Sequence, residues 1–467
     1  MRFAFIGLFD DHYEYTIQKK KQLEVTMETK MEVTVPEAPR MVAWQMDAYG
    51  TYEDLKANDQ VPAPTEVGPK EVLVRIKASS VNPIDVLMAE GYGKVFLNRV
   101  RQAQQMSLCR PVEFPLTLGR DFCGVVVAKG ANVTDALNVG DTVMGVIAPF
   151  NQGCHSELVS VPEAQVIKKP ENLSDEEAAG LLYTGLTVWC ALKLAGGLYV
   201  FNAAGKNVLV IGGSGGVGNC AIQLLHCWGA KVTTTCSTNA INLVKGLIPD
   251  NIVDYTTEDA HKQLEKYGKY DLILDAAGIP YENIRKYIPL LNIWGAFITL
   301  RSPILTNIDL YGLIPGMVKN AYDLVVPNVL SGAVFKGATI RWGAFMPIEN
   351  GIKELTQLAE EKKIVVPLDS VYNFTNIKNA FKRVKNGHLR GKVIVTCDET
   401  KNKFSEFGEY LIADFLYKQD KNVLEYLRKD NNIDDLVNEV IKEDEIINHM
   451  YGHRVHDTIA THAIFQK

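Results

Sequence analysis

The chain has 467 residues, with 49 Lys and Arg against 55 Asp and Glu, a net charge of −6 and 47% hydrophobic residues. That length leaves room for two or three domains with a core that needs no disulfide or metal staple, and the slight acidity gives no overall basic footprint for nucleic acid. No unbroken apolar run reaches the ~20 residues of a membrane span. The longest, Ile288–Leu300, is interrupted by Asn292 and Gly295 and reads as a core helix–strand pair. The cysteines are scattered with no Cys-x-x-Cys, which fits buried thiols in a reducing compartment and excludes a disulfide framework or zinc finger.

Residues 1–40 mix acidic and basic side chains, and the short run Phe3–Phe9 meets Asp10-Asp11 where a secretory signal would carry small residues. A mitochondrial presequence is Arg-rich and acid-poor, which this segment is not. It reads as a flexible leader, with Met41 opening the first structured segment. Over 41–170 the pattern is short strands between turns: Val72–Lys77 alternates apolar and polar, and Gly124–Ala128 and Thr142–Ile147 follow. This is the first part of a compact antiparallel barrel. Over 171–335 strand-like runs recur at Val208–Ile211, Lys231–Cys236, Ile252–Tyr255, Asp271–Asp275 and Ala296–Leu300, separated by helical stretches. That rhythm predicts βαβ units on a parallel sheet. A mixed pattern over 336–398 ends in the strand Lys392–Thr396 and returns to the barrel domain. Residues 399–467 are acidic with helical periodicity at Leu411, Phe415, Leu424 and Leu427, and read as an appended helical segment.

The most informative stretch is Val208-Leu-Val-Ile followed by Gly212-Gly-Ser-Gly-Gly-Val-Gly218. A buried strand, a glycine turn and a helix carrying Ile222 and Leu225 fit the dinucleotide fingerprint Gly213-x-Gly215-x-x-Gly218. The pyrophosphate is expected on Ser214, Gly215, Gly216 and Val217, at the positive end of the helix. An NAD enzyme places Asp or Glu about 20 residues further on to bind the ribose 2′-hydroxyl. Here that region reads Thr235-Cys-Ser237-Thr-Asn239 with no acid, so NADPH is expected over NADH, although Lys245 is the nearest cation.

The motifs Ser80-Val-Asn82-Pro-Ile-Asp85, Gly119-Arg-Asp-Phe-Cys-Gly124 and Gly140-Asp-Thr-Val-Met-Gly145, with Gly212–Gly218, resemble the zinc-free quinone oxidoreductase branch of the medium-chain dehydrogenase/reductase family. Phe114–Asp121, Arg341-Trp342 and Gly387–Lys392 are similar to a mitochondrial, reticulon-interacting branch of that family, and the resemblance covers roughly 41–398. It implies the α/β class: a GroES-like antiparallel barrel as catalytic domain with an inserted Rossmann doubly wound parallel sheet. It further implies NADPH contacts at Ser237 and Tyr255, at Leu300 near the ring, at Arg341 and Phe345, and at His388, Leu389 and Arg390. Mitochondrial localisation, a link to ubiquinone metabolism, a homodimer and a reticulon-type membrane protein partner follow from the resemblance alone.

Zinc members of such a family need Cys and His ligands from the barrel; this chain has Asn82 where the first Cys belongs and Arg120-Asp121 in place of His-Glu. Adjacent Cys154-His155 cannot build a site alone, and the spaced trio His449, His453 and His456 is broken by Gly452. No metal is expected. The chemistry left is hydride delivery to a small-molecule acceptor that needs little electrophilic help, a quinone or activated enone. The amide of Asn82 would donate to a developing oxyanion, or Asn before Pro83 simply forms a turn. Tyr183 would line the pocket, while Asp85 and Asp121 anchor loops. His388 and Arg390 suit phosphate or ribose oxygens, or belong to a solvated loop beside Lys385. Gly91–Arg110 reads as a long loop, either a lid or a surface excursion. Tyr-x-x-x-Lys occurs at Tyr15/Lys19 and Tyr417/Lys421, far from the glycine loop, which removes a short-chain dehydrogenase reading. The alternative to an enzyme is a catalytically weak NADPH-binding structural or scaffold protein.

Overall fold

The computed structural model describes residues 40–107, 113–331 and 333–397. The predicted tail with its histidine trio, residues 1–39 of the predicted leader, and Arg110 lie outside the described residues. Strands β1 (Arg40–Met46), β2 (Lys56–Pro62) and β3 (Glu71–Val81) lead into helices α1 (Pro83–Ala89) and α2 (Lys94–Gln104). Five more strands follow: β4 (Leu116–Thr117), β5 (Asp121–Lys129), β6 (Thr142–Val146), β7 (Leu158–Pro162) and β8 (Val166–Lys168). The long helix α3 (Asp175–Trp189) then opens an alternating series. It runs β9 (Asn207–Ile211), α4 (Gly216–Cys227), β10 (Lys231–Cys236), α5 (Ile241–Lys245), β11 (Asn251–Asp254), α6 (Ala260–Lys266) and β12 (Tyr270–Asp275). It continues through α7 (Tyr281–Ile284), β13 (Leu291–Thr299), α8 (Ile304–Tyr311), α9 (Leu313–Leu330) and β14 (Thr339–Trp342). The last described elements are α10 (Glu349–Glu360), β15 (Leu368–Asn373), α11 (Ile377–Lys385) and β16 (Lys392–Thr396).

The alternating run at Val72–Lys77 is the middle of β3, which organises the barrel domain. β5 pairs antiparallel along one edge of β3; on the other edge β7 takes its first half and β16 its second. The full order is β15-β16-β3-β5-β6-β8, and β2-β1-β4 forms a separate small sheet. The β15–β16 pair is parallel, a departure from the all-antiparallel expectation. β16 therefore arrives from the far end of the chain to sit beside Val81, the residue before Asn82.

The inserted sheet has the order β11-β10-β9-β12-β13-β14, every neighbour parallel. That is the doubly wound arrangement, with its crossover between β9 and its two neighbours and a ligand crevice beyond their carboxyl ends. The buried run of β9 explains its central place: Val208 and Val210 join one core cluster while Leu209 and Ile211 join the cluster on the opposite face, as period-two alternation demands of a strand covered on both sides. The sixth strand, β14, lies beyond residue 335, so this sheet extends past the boundary drawn from sequence.

Two other sequence expectations change. Within Gly91–Arg110, residues 94–104 are helical and not a loop: Gly93 N and Val95 N donate to Asp309 at 2.6 and 2.9 Å, satisfying orphan donors at the start of α2. Arg101 is buried on that helix and donates to the carbonyls of Phe150 and Pro149. The second change concerns α3, which starts with a reciprocal cap between Ser174 and Glu177 and runs on as a π-helix, Cys190–Ala195. Asp175–Ala195 is long and apolar enough to cross a membrane, but 72% of its apolar window is buried inside this fold.

Candidate dinucleotide and acceptor site

The glycine loop has the shape its sequence requires. Gly212 has φ +89, and a Cβ on Gly218 would run into the Gly212 carbonyl, so those glycines serve a left-handed turn and close helix–strand packing. Gly215 differs: a Cβ there would meet nothing nearer than Gly212 O at 3.8 Å. It is the N-cap of α4, no side chain caps it, and the first turn carries no acid. The N–H groups of that turn and the helix dipole therefore face open space, the requirement for an anion. Ser214, Gly215, Gly216 and Val217, all partly exposed, fit a dinucleotide pyrophosphate.

Ser237 and Tyr255 follow the paired ends of β10 and β11, where Cys236 registers with Asp254, and so stand together at the carboxyl ends of those strands. Ser237 Oγ donates to Asn239 Oδ1 at 2.8 Å, and Tyr255 is exposed. Sequence spacing missed Asp254, an acid delivered here by the neighbouring strand. Its carboxylate is already taken: Thr238 Oγ1 donates to one oxygen, and Thr256 donates to the other from N at 2.9 Å and Oγ1 at 2.6 Å. Those hydroxyl bonds hold its pKa below the usual carboxylate value. A signal did exist, since Asp254 stands at the end of a strand that the parallel rhythm places next to β10.

The barrel contributes a buried polar cluster. Asn82 N donates to Asp85 Oδ2 at 2.8 Å, and Pro83 begins α1, so the turn-forming reading holds. The Asn82 carboxamide is held on both sides: Nδ2 donates toward Ser80 Oγ at 3.0 Å and Asp121 Oδ1 at 2.9 Å, while Oδ1 accepts from Lys392 Nζ at 2.6 Å. Ser80 Oγ and Asp121 Oδ1 are bonded to each other and lie on one side of Nδ2, so a single amide hydrogen serves both. Lys392 is the residue that sequence reading passed over. Its Nζ also reaches Thr184 Oγ1 at 3.2 Å and Asp121 Oδ2 at 3.5 Å. The only sequence signal was a lysine heading the apolar strand Lys392–Thr396, where burial requires a partner. Asp85 and Asp121 act as anchors. Asp85 accepts from Gly119 N and lies 3.6 Å from Arg120 Nε, while Asp121 accepts from Ser80 Oγ and from Tyr183 N at 3.3 Å. His155 is sealed beneath, Nε2 3.2 Å from Ser80 O and its ring edge-on to Phe381. Burial depresses its pKa to about 4.

An apolar wall lies beside this cluster. The rings of Tyr183 and Phe345 stack with centroids 4.3 Å apart. Both, with Val217 and Leu300, are half-buried and pack on the same core cluster. Burial raises the Tyr183 hydroxyl pKa far above its ordinary value, which leaves it a neutral hydrogen-bonding group. A cavity of about 20 Å³ joins Gly216 of the loop to Thr184, Gly391 and Lys392. A larger one, about 310 Å³, lined by Tyr281, Arg285, Leu330 and Ile340, contains none of these residues. His388 and Arg390 are exposed on the turn leading to Gly391, whose carbonyl would lie 3.6 Å from a Cβ on Gly216. The turn is held by Asp369, which accepts from Arg390 N and Arg383, and half-buried Leu389 packs on the barrel core. Arg341, on β14, spends its guanidinium on Thr339 Oγ1 and Ala195 O at 2.8 and 2.7 Å.

Two families match: one described as alcohol dehydrogenase GroES-like domain, over residues 68–171, and one as zinc-binding dehydrogenase, over 249–395. Among the described residues no group of three or more His, Cys, Asp or Glu is placed to hold a metal ion. The side chains do not suit zinc: the Lys392 ammonium already lies between Asn82 and Asp121, and the Arg120 guanidinium is beside Asp85. The chain is 41% identical over 379 residues to the mitochondrial NAD(P)H oxidoreductase RTN4IP1 of Drosophila melanogaster, covering 78% of this chain and 88% of that one. It is 31% identical to the trans-enoyl reductase pgmF of Aspergillus terreus, covering 79% and 99%. The structure of the quinone oxidoreductase from Coxiella burnetii matches with a TM-score of 0.60 and 26% identity over 77% of this chain and 100% of that one. With the doubly wound sheet, the open glycine loop and these likenesses together, the chain belongs to the medium-chain dehydrogenase/reductase family of oxidoreductases.

Proposed function

We propose that the protein is an NADPH-dependent oxidoreductase that passes hydride to a quinone or an activated enone with no metal ion in the step. The observation that carries this reading is the joining of the uncapped Gly215–Val217 helix end to a polar cluster whose cations are side chains, Lys392 and Arg120, beside the Tyr183–Phe345 wall. The reduced nicotinamide supplies the hydride, and the protein supplies position and electrostatics. Gly215, Gly216 and Val217 would hold the pyrophosphate on their N–H groups. Ser237, with Tyr255 beside it, leaves room for a 2′-phosphate because Asp254 is turned onto threonine hydroxyls. Val217, Leu300, Phe345 and Tyr183 present an apolar rim suited to a flat ring and exclude water from it. His388 and Arg390 stand at the loop side, where phosphate or ribose oxygens would be met.

The test is consumption of NADPH with a panel of quinones and enones, with NADH as control and a chelator added. Chelator-insensitive NADPH oxidation supports the reading, and activity that depends on added zinc overturns it. The burial of Asn82 favours a second reading, an NADPH-binding scaffold, which tight NADPH binding without turnover by any acceptor would establish. A mitochondrial location, a role near ubiquinone and a reticulon-type partner are supported by the relatives' names and are tested by fractionation and co-purification.

A further inference from the structure

Lys392 sits where three parts of the molecule meet. Its stem runs between helix α3 and the glycine loop: a Cβ on Gly180 would lie 3.2 Å from Cγ, and one on Gly216 would lie 3.7 Å from Cδ. Its ammonium enters the barrel cluster and spends its three hydrogens on Asn82 Oδ1, Thr184 Oγ1 and Asp121 Oδ2. We propose that Lys392 is a positioning residue of the acceptor site, one that fixes Asn82, Asp121 and α3 against the glycine loop without touching cofactor or acceptor. This rests on the oxidoreductase reading above.

Two consequences of the geometry carry the proposal. First, the ammonium sets the orientation of the Asn82 carboxamide: with Oδ1 held by Nζ, Nδ2 must face Ser80 and Asp121. Without that donor the amide keeps only its Nδ2 side, on Ser80 and Asp121, and Oδ1 is left buried without a partner. Second, Asp121 links the ammonium to the wall, because its Oδ2 also accepts from Tyr183 N, and the Tyr183 ring stacks on Phe345. The route Lys392, Asp121, Tyr183, Phe345 is continuous contact from the barrel to the rim. Both ions are almost wholly buried, so removing one leaves the other without a counter-charge, and the wall shifts with α3. Displacements near an ångström cost hydride-transfer geometry far more than they cost binding.

The experiment uses the full-length protein with Lys392→Met, the charge-balanced double variant Lys392→Met/Asp121→Asn, and the milder Thr184→Val. Four quantities are measured: NADPH affinity and the emission spectrum of bound NADPH without acceptor, and kcat and KM with menadione. For Lys392→Met and the double variant, kcat is expected to fall about tenfold or more with KM and NADPH affinity within about threefold, since the loss is one of alignment. Bound NADPH emission should move toward that of the free cofactor. If Lys392→Met does not fold, the double variant, which buries no unpaired charge, carries the comparison; if neither folds, Thr184→Val does, with an expected loss in kcat of about threefold. Wild-type kcat and emission in whichever of these variants folds overturn the proposal. Absence of menadione reduction by the wild type counts against the oxidoreductase reading alone, and the emission spectra then decide the role of Lys392.

Discussion

Asp85 Oδ1 lies 3.6 Å from Arg120 Nε, and neither side chain reaches solvent. Burial pushes the Asp85 carboxyl up, and Arg120 with the N–H groups of Asn82 and Gly119 pulls it back. Arg120 in turn donates to the carbonyls of Thr117, Ala148 and Asn151. The pair therefore ties α1 to the entry of β5 and to the loop after β6. Asp85→Asn should destabilise the protein by about 3 kcal/mol, because the guanidinium stays buried without its counter-ion. Equilibrium urea unfolding measures this, and a change under about 0.5 kcal/mol would show the pair to be dispensable.

The glycines of the loop should separate folding from binding. Gly218→Ala forces a Cβ into the Gly212 carbonyl and should lower thermal stability and abolish NADPH binding together. Gly215→Ala meets no protein atom within 3.8 Å, so stability should be unchanged while NADPH affinity falls about tenfold or more through lost pyrophosphate space. Isothermal calorimetry alongside a melting curve reads both effects; intact affinity in Gly215→Ala places the pyrophosphate elsewhere.

Cofactor preference should respond to the threonines around Asp254. In Thr238→Val one carboxylate oxygen loses its hydroxyl donor and becomes available to a ribose 2′-hydroxyl. The ratio of NADPH to NADH affinity is expected to fall by about fivefold to tenfold, the scale of a single charge-assisted hydrogen bond. An unchanged ratio would place Asp254 outside the reach of the ribose.

His155 gives the stability a predictable acid limb. Burial lowers its pKa to about 4 from 6.5; the Ser80 carbonyl opposes this, Arg120 reinforces it and Asp121 opposes it. A folded-state value below the unfolded one means that the unfolded chain takes up the proton first as pH falls. The contribution is therefore absent above about pH 6.5, and stability drops by about 3 kcal/mol as pH falls to about 4. His155→Gln should flatten this part of the urea-midpoint profile. An unaltered acid slope would assign it to other groups.

Legibility from sequence followed the range of the signal. The buried run Val208–Ile211, the glycine spacing and the βαβ rhythm are local patterns that hydrophobic burial and backbone sterics impose within a few residues, so the parallel sheet and its loop were readable. Helix α2 was missed because Gly91 and Gly93 just before it and its Arg content imitate a loop, and its N-terminal partner, Asp309, is supplied by a remote helix. Asn82 reads from sequence as either an oxyanion donor or a turn former, and its hydrogen bonds could not be read, because Asp121 and Lys392 lie 39 and 310 residues away.

By itself the sequence determined the domain order, the glycine turn that faces an anion, and the residue types available at each site, all consequences of local periodicity and side-chain chemistry. Only the tertiary structure decided how those groups are spent: that Asp254 accepts from threonine hydroxyls, that the Asn82 carboxamide lies between Lys392 and Asp121, and that Lys392 is the cation among them. The reason is that hydrogen bonding in a buried cluster is settled by which strands become neighbours, and β16 joins β3 only after the whole inserted sheet has been threaded between them.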